Sequence, residues 1–506
     1  MSHLRNLTGQ AILTACVLIF SHSTTFAQTV APPLPRQAWS VEEMTAASGN
    51  YYSIPSWKHS ILYLADGGFA FAAGFGLDEA GIVRISGEGK TLWQTKLTGT
   101  TTTGISKLGD NFLVITSDIN GGNDNSTQVT AFIVDGTKGS ILKQKVIFTS
   151  PEPVYTDSKI LKDQDGKGDQ VFIRVSNSSR SGIDYGKNMR QRLATEKLAL
   201  ITLDAELNAT QAAIPSLGKD GLYIGSVAGT NKEFYLCSVV DDQMIMECFK
   251  SDGSKKDRLM TAISVRDALT GPQPIITIDP SNPAIVFVGM KYETKGKDDI
   301  HNFFEFNFSK KNVTNFGEQK LTGKYGKSIE YTALKGLERG ERGYESGMKI
   351  NDVLATPDRI VVVKEIMHYK TSTKGSNWLL NEGVSVDIYD RQWKLLKTVG
   401  INRSAGSYTN EGRSTGARVE GKKLVLVMSA FAGFMKAGTA MAVINLENGE
   451  MEKLASLDHS GVDGTTRTEG SATFFTAGGF YLTQIIERGK ASKGYHYDTI
   501  LQKVTY

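Results

Sequence analysis

Apolar positions along this chain alternate with polar ones or gather in short β-branched runs, and few windows hold a 3.6-residue period for three turns. That pattern predicts strands rather than helices. One arrangement recurs: an apolar strand, a polar turn usually holding Gly, Asp or Asn, then a second, more polar strand. Residues 82–97 read IVRISGEGKTLWQTKL, and residues 129–147 read VTAFIVDGTKGSILKQKVI with one small insertion. Further copies begin at Leu198, Met244, Phe303, Ser385 and Met441, and a last copy beginning at Thr499 is cut short by the C-terminus. A Gly- or Asp-led strand precedes most of them, at Gly68, Asp110, Asp358, Gly421 and Gly479. Each unit therefore supplies about four short strands over roughly 45 to 75 residues, the spacing of propeller blades.

The truncated eighth copy is the most informative. It has inner strands but lacks the outer strand that the others carry, and an open edge there would be a template for aggregation. Residues 39–57 (WSVEEMTAASGNYYSIPSW) precede the first full repeat and have no partner of their own. Pairing them with the last blade would close a ring. The expected fold class is thus all-β: a single β-propeller of eight blades, closed by the N-terminal segment. Seven blades is the alternative if two weak copies share a blade, and a pair of β-sandwiches is the rival architecture.

The run Gly87-Glu88-Gly89-Lys90-Thr91-Leu92-Trp93 resembles the turn and outer strand of the quinoprotein-like (PQQ-repeat) propellers, in which a D-x-x-G turn leads into a strand carrying Trp. Residues 135–142 (DGTKGSIL) and 446–450 (LENGE) are weaker copies. The resemblance implies a fold and not an activity. Quinoprotein dehydrogenases of this class pair adjacent cysteines near the cofactor and repeat the Trp motif around the ring. Here Cys237 and Cys248 are separated and the Trp occurs once in register, so PQQ is not expected.

Composition adds limits. Of the 506 residues 40% are hydrophobic and 22% charged, the balance of a soluble globular protein. The 57 basic and 53 acidic side chains are well mixed and leave a net charge of +4, so no global field selects nucleic acid or anionic lipid. The first residues read as a secretory signal: Arg5, an apolar run at 11–20 (AILTACVLIF), and a small-x-small site at Thr25-Phe26-Ala27. That run is too short to span a bilayer, which needs about 20 residues, and no later stretch is long enough. The expected organisation is a signal peptide at 1–27, a Pro-rich lead-in at 28–38 and the propeller at 39–506, placed in the periplasm or outside a bacterial cell. Leu13-Thr14-Ala15-Cys16 resembles a lipobox and gives a lipoprotein alternative through Cys16, although the apolar run continues past that cysteine.

Several clusters carry candidate chemistry. Asp163-Gln164-Asp165-Gly166-Lys167-Gly168-Asp169 resembles the calcium loop of FG-GAP propeller repeats. A tight loop turns every second side chain inward, which would make Asp163, Asp165 and Asp169 ligands to Ca2+, with the Lys167 carbonyl between them. Leu161 stands where that family has its first Asp, and a solvated turn is the competing reading. A second polar loop at 118–124 (DINGGND) could hold a cation or simply turn the chain. Cys237 and Cys248 flank a hairpin centred on Asp242-Gln243, a register that places them opposite each other, either bridged or as two buried thiols. Gly412-Arg413-Ser414-Thr415-Gly416 matches G-x-S-x-G but lacks the strand before and the helix after that a nucleophile elbow needs. His59, His301, His368, His459 and His496 are scattered, with no zinc spacing. The insertion at 323–349 offers Tyr325, Tyr331, Arg339, Arg342 and Tyr344 on what reads as a long loop over a propeller face.

The expected function is an exported non-catalytic propeller acting as a binding or assembly module for a protein or glycan partner, monomeric and without nucleic acid. The alternative is a secreted glycan-active or other hydrolase or lyase with acids and bases assembled in the propeller funnel. No catalytic residue is assigned.

Overall fold

The computed structural model describes residues 41–46, 52–53 and 61–505, except 76–78, 88–89, 120–126, 151–153, 163–166, 180–194, 215–216, 218–220, 231, 264–273, 294–298, 321–329, 334–347, 372–376, 408–414, 432–436, 458–464, 469–472, 477 and 491–493. Among the described residues every regular element is a strand, and the strands form eight sheets that follow one another along the chain. The sheets are the blades of an eight-bladed β-propeller. Most are four-stranded antiparallel meanders whose first strand is innermost. In blade 2, for example, Thr101–Leu108, Asn111–Ile119, Thr127–Val134 and Ile141–Ser150 pair in sequence order. The recurring units read from the sequence are the third and fourth strands of successive blades.

Blade 8 lacks an outer strand of its own, and the N-terminal segment supplies it. Val41–Ala46 lies antiparallel to Gly494–Thr505, from Val41 opposite Val504 to Ala46 opposite Thr499. A few residues on, Tyr52–Ser53 pairs with Phe69–Phe75 of blade 1. One short segment thus finishes the last blade and starts the first, and the exposed edge disappears.

Five of the polar turns between third and fourth strands are built in one way. A side-chain oxygen at the head of the turn accepts backbone N–H groups that the turn leaves without strand partners. Asp135 accepts from Thr137 and Lys138 at 2.8 and 2.7 Å. Asp204 accepts from Glu206 and Asn208 at 2.8 and 2.7 Å, and Asp390 from Gln392 and Lys394 at 2.9 Å. Asn307 and Asn445 do the same for Lys310 and Glu447. Each of these turns then passes through a left-handed residue: Gly139, Leu207, Lys311, Trp393 or Gly449. The Asp, Asn and Gly of the repeats are there for this geometry.

The core lies between blades. Alternate side chains of a strand face opposite neighbours, so each blade contributes to two clusters. In Asp299–Asn307 of blade 5, Ile300, Phe304 and Phe306 pack with Cys237, Met246 and Met290 on the blade 4 side. Phe303 packs on the other side with Val362, Tyr389 and Trp393 of blade 6.

Two expectations change. The hairpin after Phe234–Val240 turns at Asp241-Asp242, both left-handed, so Cys237 pairs with Met246 and Cys248 with Tyr235. Both thiols are free and buried, and the opposed register expected from the sequence does not form. The insertion at 323–349 does not lie wholly over a face. Its Glu330–Ala333 runs parallel to Leu395–Ser407 and adds a fifth strand to the outside of blade 6.

Candidate functional site

The turns between first and second strands lie at one end of the inner strands. Those of blades 2 to 5 border a cavity of about 760 Å³, with Leu108, Leu161 and Ile278 among its apolar walls. Its polar groups come from each blade in turn: Lys107 from blade 2, Lys162, Lys167 and Asp169 from blade 3, Lys232 and Glu233 from blade 4, and Asp279 from blade 5. A parallel bridge between Lys107 and Lys167 ties the blade 3 turn to the inner strand of blade 2.

Every carboxylate in this described lining holds a cation. Asp169 Oδ2 lies 2.7 Å from Lys232 Nζ, and Glu233 Oε1 lies 2.6 Å from Lys256 Nζ. Asp279 is fully buried; it accepts the Ser281 N–H and hydroxyl at 2.9 and 2.6 Å and pairs with Arg391 from blade 6. Burial lowers the Lys162 amine to about 8, so its charged form is costly where it stands.

A second cavity, of about 520 Å³, lies between blades 6 and 7 at the same end of the strands and includes Asp358, Arg359, Lys422 and Glu447. Lys422 and Glu447 form an exposed ion pair across it, 2.5 Å apart.

The sequence-derived candidates fare unevenly. Asp163 and Asp165 lie outside the described residues. Lys167 and Asp169 line the first cavity, where Asp169 is already engaged by Lys232. Among the described residues no group of three His, Cys, Asp or Glu side chains is placed to hold a metal ion. Asp118 and Ile119 close the strand Asn111–Ile119, and residues 120–124 lie outside the described residues, as do Gly412-Arg413-Ser414. Thr415 opens the strand Thr415–Glu420, where a nucleophile elbow would need a helix. Tyr325, Arg339, Arg342 and Tyr344 are outside the description, and Tyr331 sits in the added strand of blade 6. Lys107, Lys162 and Lys232 were not singled out. The one signal in the sequence was the adjacency of Lys162 to the acidic loop.

A separate cluster of titratable groups is sealed between blades 5 and 6. Lys364 pairs with Asp387, and Asp387 also accepts the Tyr389 and Thr398 hydroxyls at 3.0 and 2.8 Å. Lys364 and Asp387 are fully buried. Burial, then the Lys364 charge, holds the neighbouring His301 well below the usual imidazole range. The thiols are equally unreactive: burial pushes Cys237 far up, and burial with the Glu233 charge pushes Cys248 up to about 12. These groups lie between blades, and none of them lines either of the two cavities above, although Cys248 donates to Glu233 at the edge of the first.

No family model and no curated protein matches the chain. Among solved structures it is similar to a protein from Lactobacillus plantarum, with 9% identity over 79% of this chain and 96% of that one and a TM-score of 0.36. It is also similar to puromycin hydrolase, with 11% identity over 91% and 62% of the two chains and a TM-score of 0.35. Prolyl oligopeptidase B from Galerina marginata gives 11% identity over 87% and 55%, with a TM-score of 0.40. The chain therefore spans little more than half the length of the last two. Likeness this distant carries no functional argument, and the eight-bladed propeller rests on the strand order itself.

Proposed function

We propose that this chain is an exported, non-catalytic propeller that works as a binding module, taking its ligand in the cavity bordered by blades 2 to 5. The carrying observation is the state of the cavity's acids. Hydrolysis of a glycoside needs two carboxylates able to exchange protons or attack, about 5 to 9.5 Å apart. Asp169, Glu233 and Asp279 are each committed to a cation, with Lys232, Lys256 and Arg391 as their partners. What remains is a concave, partly apolar site with fixed charges, the common form of a small-ligand pocket.

Arg5, the apolar run at 11–20 and the small residues before Gln28 support export. The turn and strand at 87–93 support a quinoprotein-like descent of the blades, without PQQ.

A calorimetric panel of oligosaccharides, peptides and small organic acids, run beside assays on nitrophenyl glycosides and esters, tests this reading. Saturable binding without turnover is expected, with binding lost when Ala228→Trp fills the cavity. Turnover that disappears in Glu233→Gln would overturn the reading in favour of the hydrolase alternative.

A further inference from the structure

We infer that the junction of blades 5 and 6 is an acid-sensitive latch, closed while the His301 imidazole is neutral and opened when a second proton reaches that ring.

Hydrogen bonding carries the first part. His301 stands on Asp299–Asn307 of blade 5 and is fully buried. Its Nε2 lies 3.2 Å from the Met348 carbonyl, on the inner strand Met348–Ala355 of blade 6. A carbonyl oxygen only accepts, so Nε2 carries the proton of the neutral ring and Nδ1 its lone pair. Nδ1 has no hydrogen-bond partner among the described residues. Protonation there would create a buried N–H with nothing to receive it, on a ring that has become charged. Separating the two blades lets water meet both needs.

The surrounding charges carry the second part. Lys364, fully buried on Ile360–Thr371 of blade 6, faces the ring as a cation. Lys291, opposite His301 on the paired strand of blade 5, adds positive charge, and Gln319 on the other side adds none. Asp387, on Asn377–Tyr389, is the carboxylate of this cluster, and it is committed to Lys364 and to the Tyr389 and Thr398 hydroxyls. Lys349 and Glu365 pair with each other in register and belong to the opposite face of blade 6 by strand alternation. A protonated His301 would thus meet like charge without a free counter-ion.

The sign follows. The folded chain holds this imidazole well below its ordinary value near 6.5, so stability is complete above that pH and falls as pH drops below it. At the turn end of the same junction Trp393 stacks on Phe316, an apolar contact that acid does not alter. Opening is therefore expected at the His301 end, with the ring otherwise intact.

Hydrogen exchange of the whole chain at about pH 7.5 and about pH 5.5, corrected for the intrinsic rate, reads the latch. Residues 299–304, 348–354 and 360–366 are expected to show an opening constant about tenfold larger at the lower pH. Residues 113–115 and 171–175, at the junction of blades 2 and 3, whose described core holds no histidine, are expected to show no such change. In His301→Gln, which keeps an amide donor for Met348 and cannot take up the proton, the tenfold difference should vanish. A wild-type junction indifferent to pH, an equal loss at blades 2 and 3, or an undiminished loss in His301→Gln would each overturn the latch. A second readout needs no variant: 15N-histidine NMR of the wild-type chain at about pH 5.5 should show an imidazole still neutral and in the Nε2–H tautomer. If every imidazole is protonated by then, the latch is excluded.

Discussion

Blades 1 and 2 meet much as blades 5 and 6 do, with the parts exchanged. At the first junction the large ring belongs to the outer strand: Trp93, in Thr91–Leu97, lies over the turn of the next blade. That turn makes room with Gly139, where a β-carbon would stand 2.6 Å from the Trp93 ring. Trp93 Nε1 donates to the Gly136 carbonyl at 3.2 Å, and the Thr95 hydroxyl donates to the Gly139 carbonyl at 2.6 Å. At the second junction the turn itself supplies the ring. Trp393 takes the left-handed position at φ 60° and stacks on Phe316 of the preceding outer strand, with centroids 4.5 Å apart. Phe303 and Phe287 complete the cluster at 5.2 and 5.8 Å.

The difference shows what the junction requires. It needs one large ring filling the space over the turn, and either side can provide it. Glycine at the left-handed position is the unstrained solution, open when the neighbour brings the ring. A tryptophan there carries a backbone cost of about 1–2 kcal/mol, which aromatic burial has to outweigh. Other junctions fill the space more modestly, with Ala212 over Gly253 and the stem of Lys397 over Gly449.

Trp393 should therefore be the most sensitive position. Trp393→Ala is expected to cost about 3–5 kcal/mol in denaturant unfolding. Trp393→Gly should cost about 1 kcal/mol less, because it removes the left-handed strain; a glycine variant worse than alanine would break the comparison. Next comes Gly139→Ala, at about 2–3 kcal/mol from the ring clash and the positive φ together. In a Trp93→Ala background the same change should cost only about 1 kcal/mol. Smallest in the series is Gly449→Ala, because a lysine stem can swing aside where an indole cannot. Equal losses at Gly139 and Gly449 would mean that backbone strain alone sets the cost.

The turns and their ring were legible because both rest on local chemistry. Asp135, Asp204, Asp390 and Asn445 stand at the heads of the turns within the repeats, and each accepts N–H groups of its own turn. The missing strand of the eighth copy pointed to residues 39–57, and Val41–Ala46 fills it. The cysteine register was not legible. Shifting a hairpin's pairing by two residues keeps every side chain on its face, so apolar patterning cannot tell the registers apart and only the turn decides. Asp241-Asp242 lacks the Gly that usually marks a two-residue turn. The cavity was hidden for a different reason. Lys107, Lys162 and Lys232 are separated by dozens of residues, sit on turns of different blades, and share no periodicity. They line one cavity because adjoining blades set their turns side by side.

Hydrogen exchange with and without a saturating ligand from the calorimetric panel tests the central claim most directly. A ligand site at the inner-strand ends of blades 2 to 5 predicts new protection at residues 107–109, 167–170 and 228–230, with no change at 356–359 or 446–447 between blades 6 and 7. Protection confined to that second cavity, or none anywhere despite saturation, would contradict it.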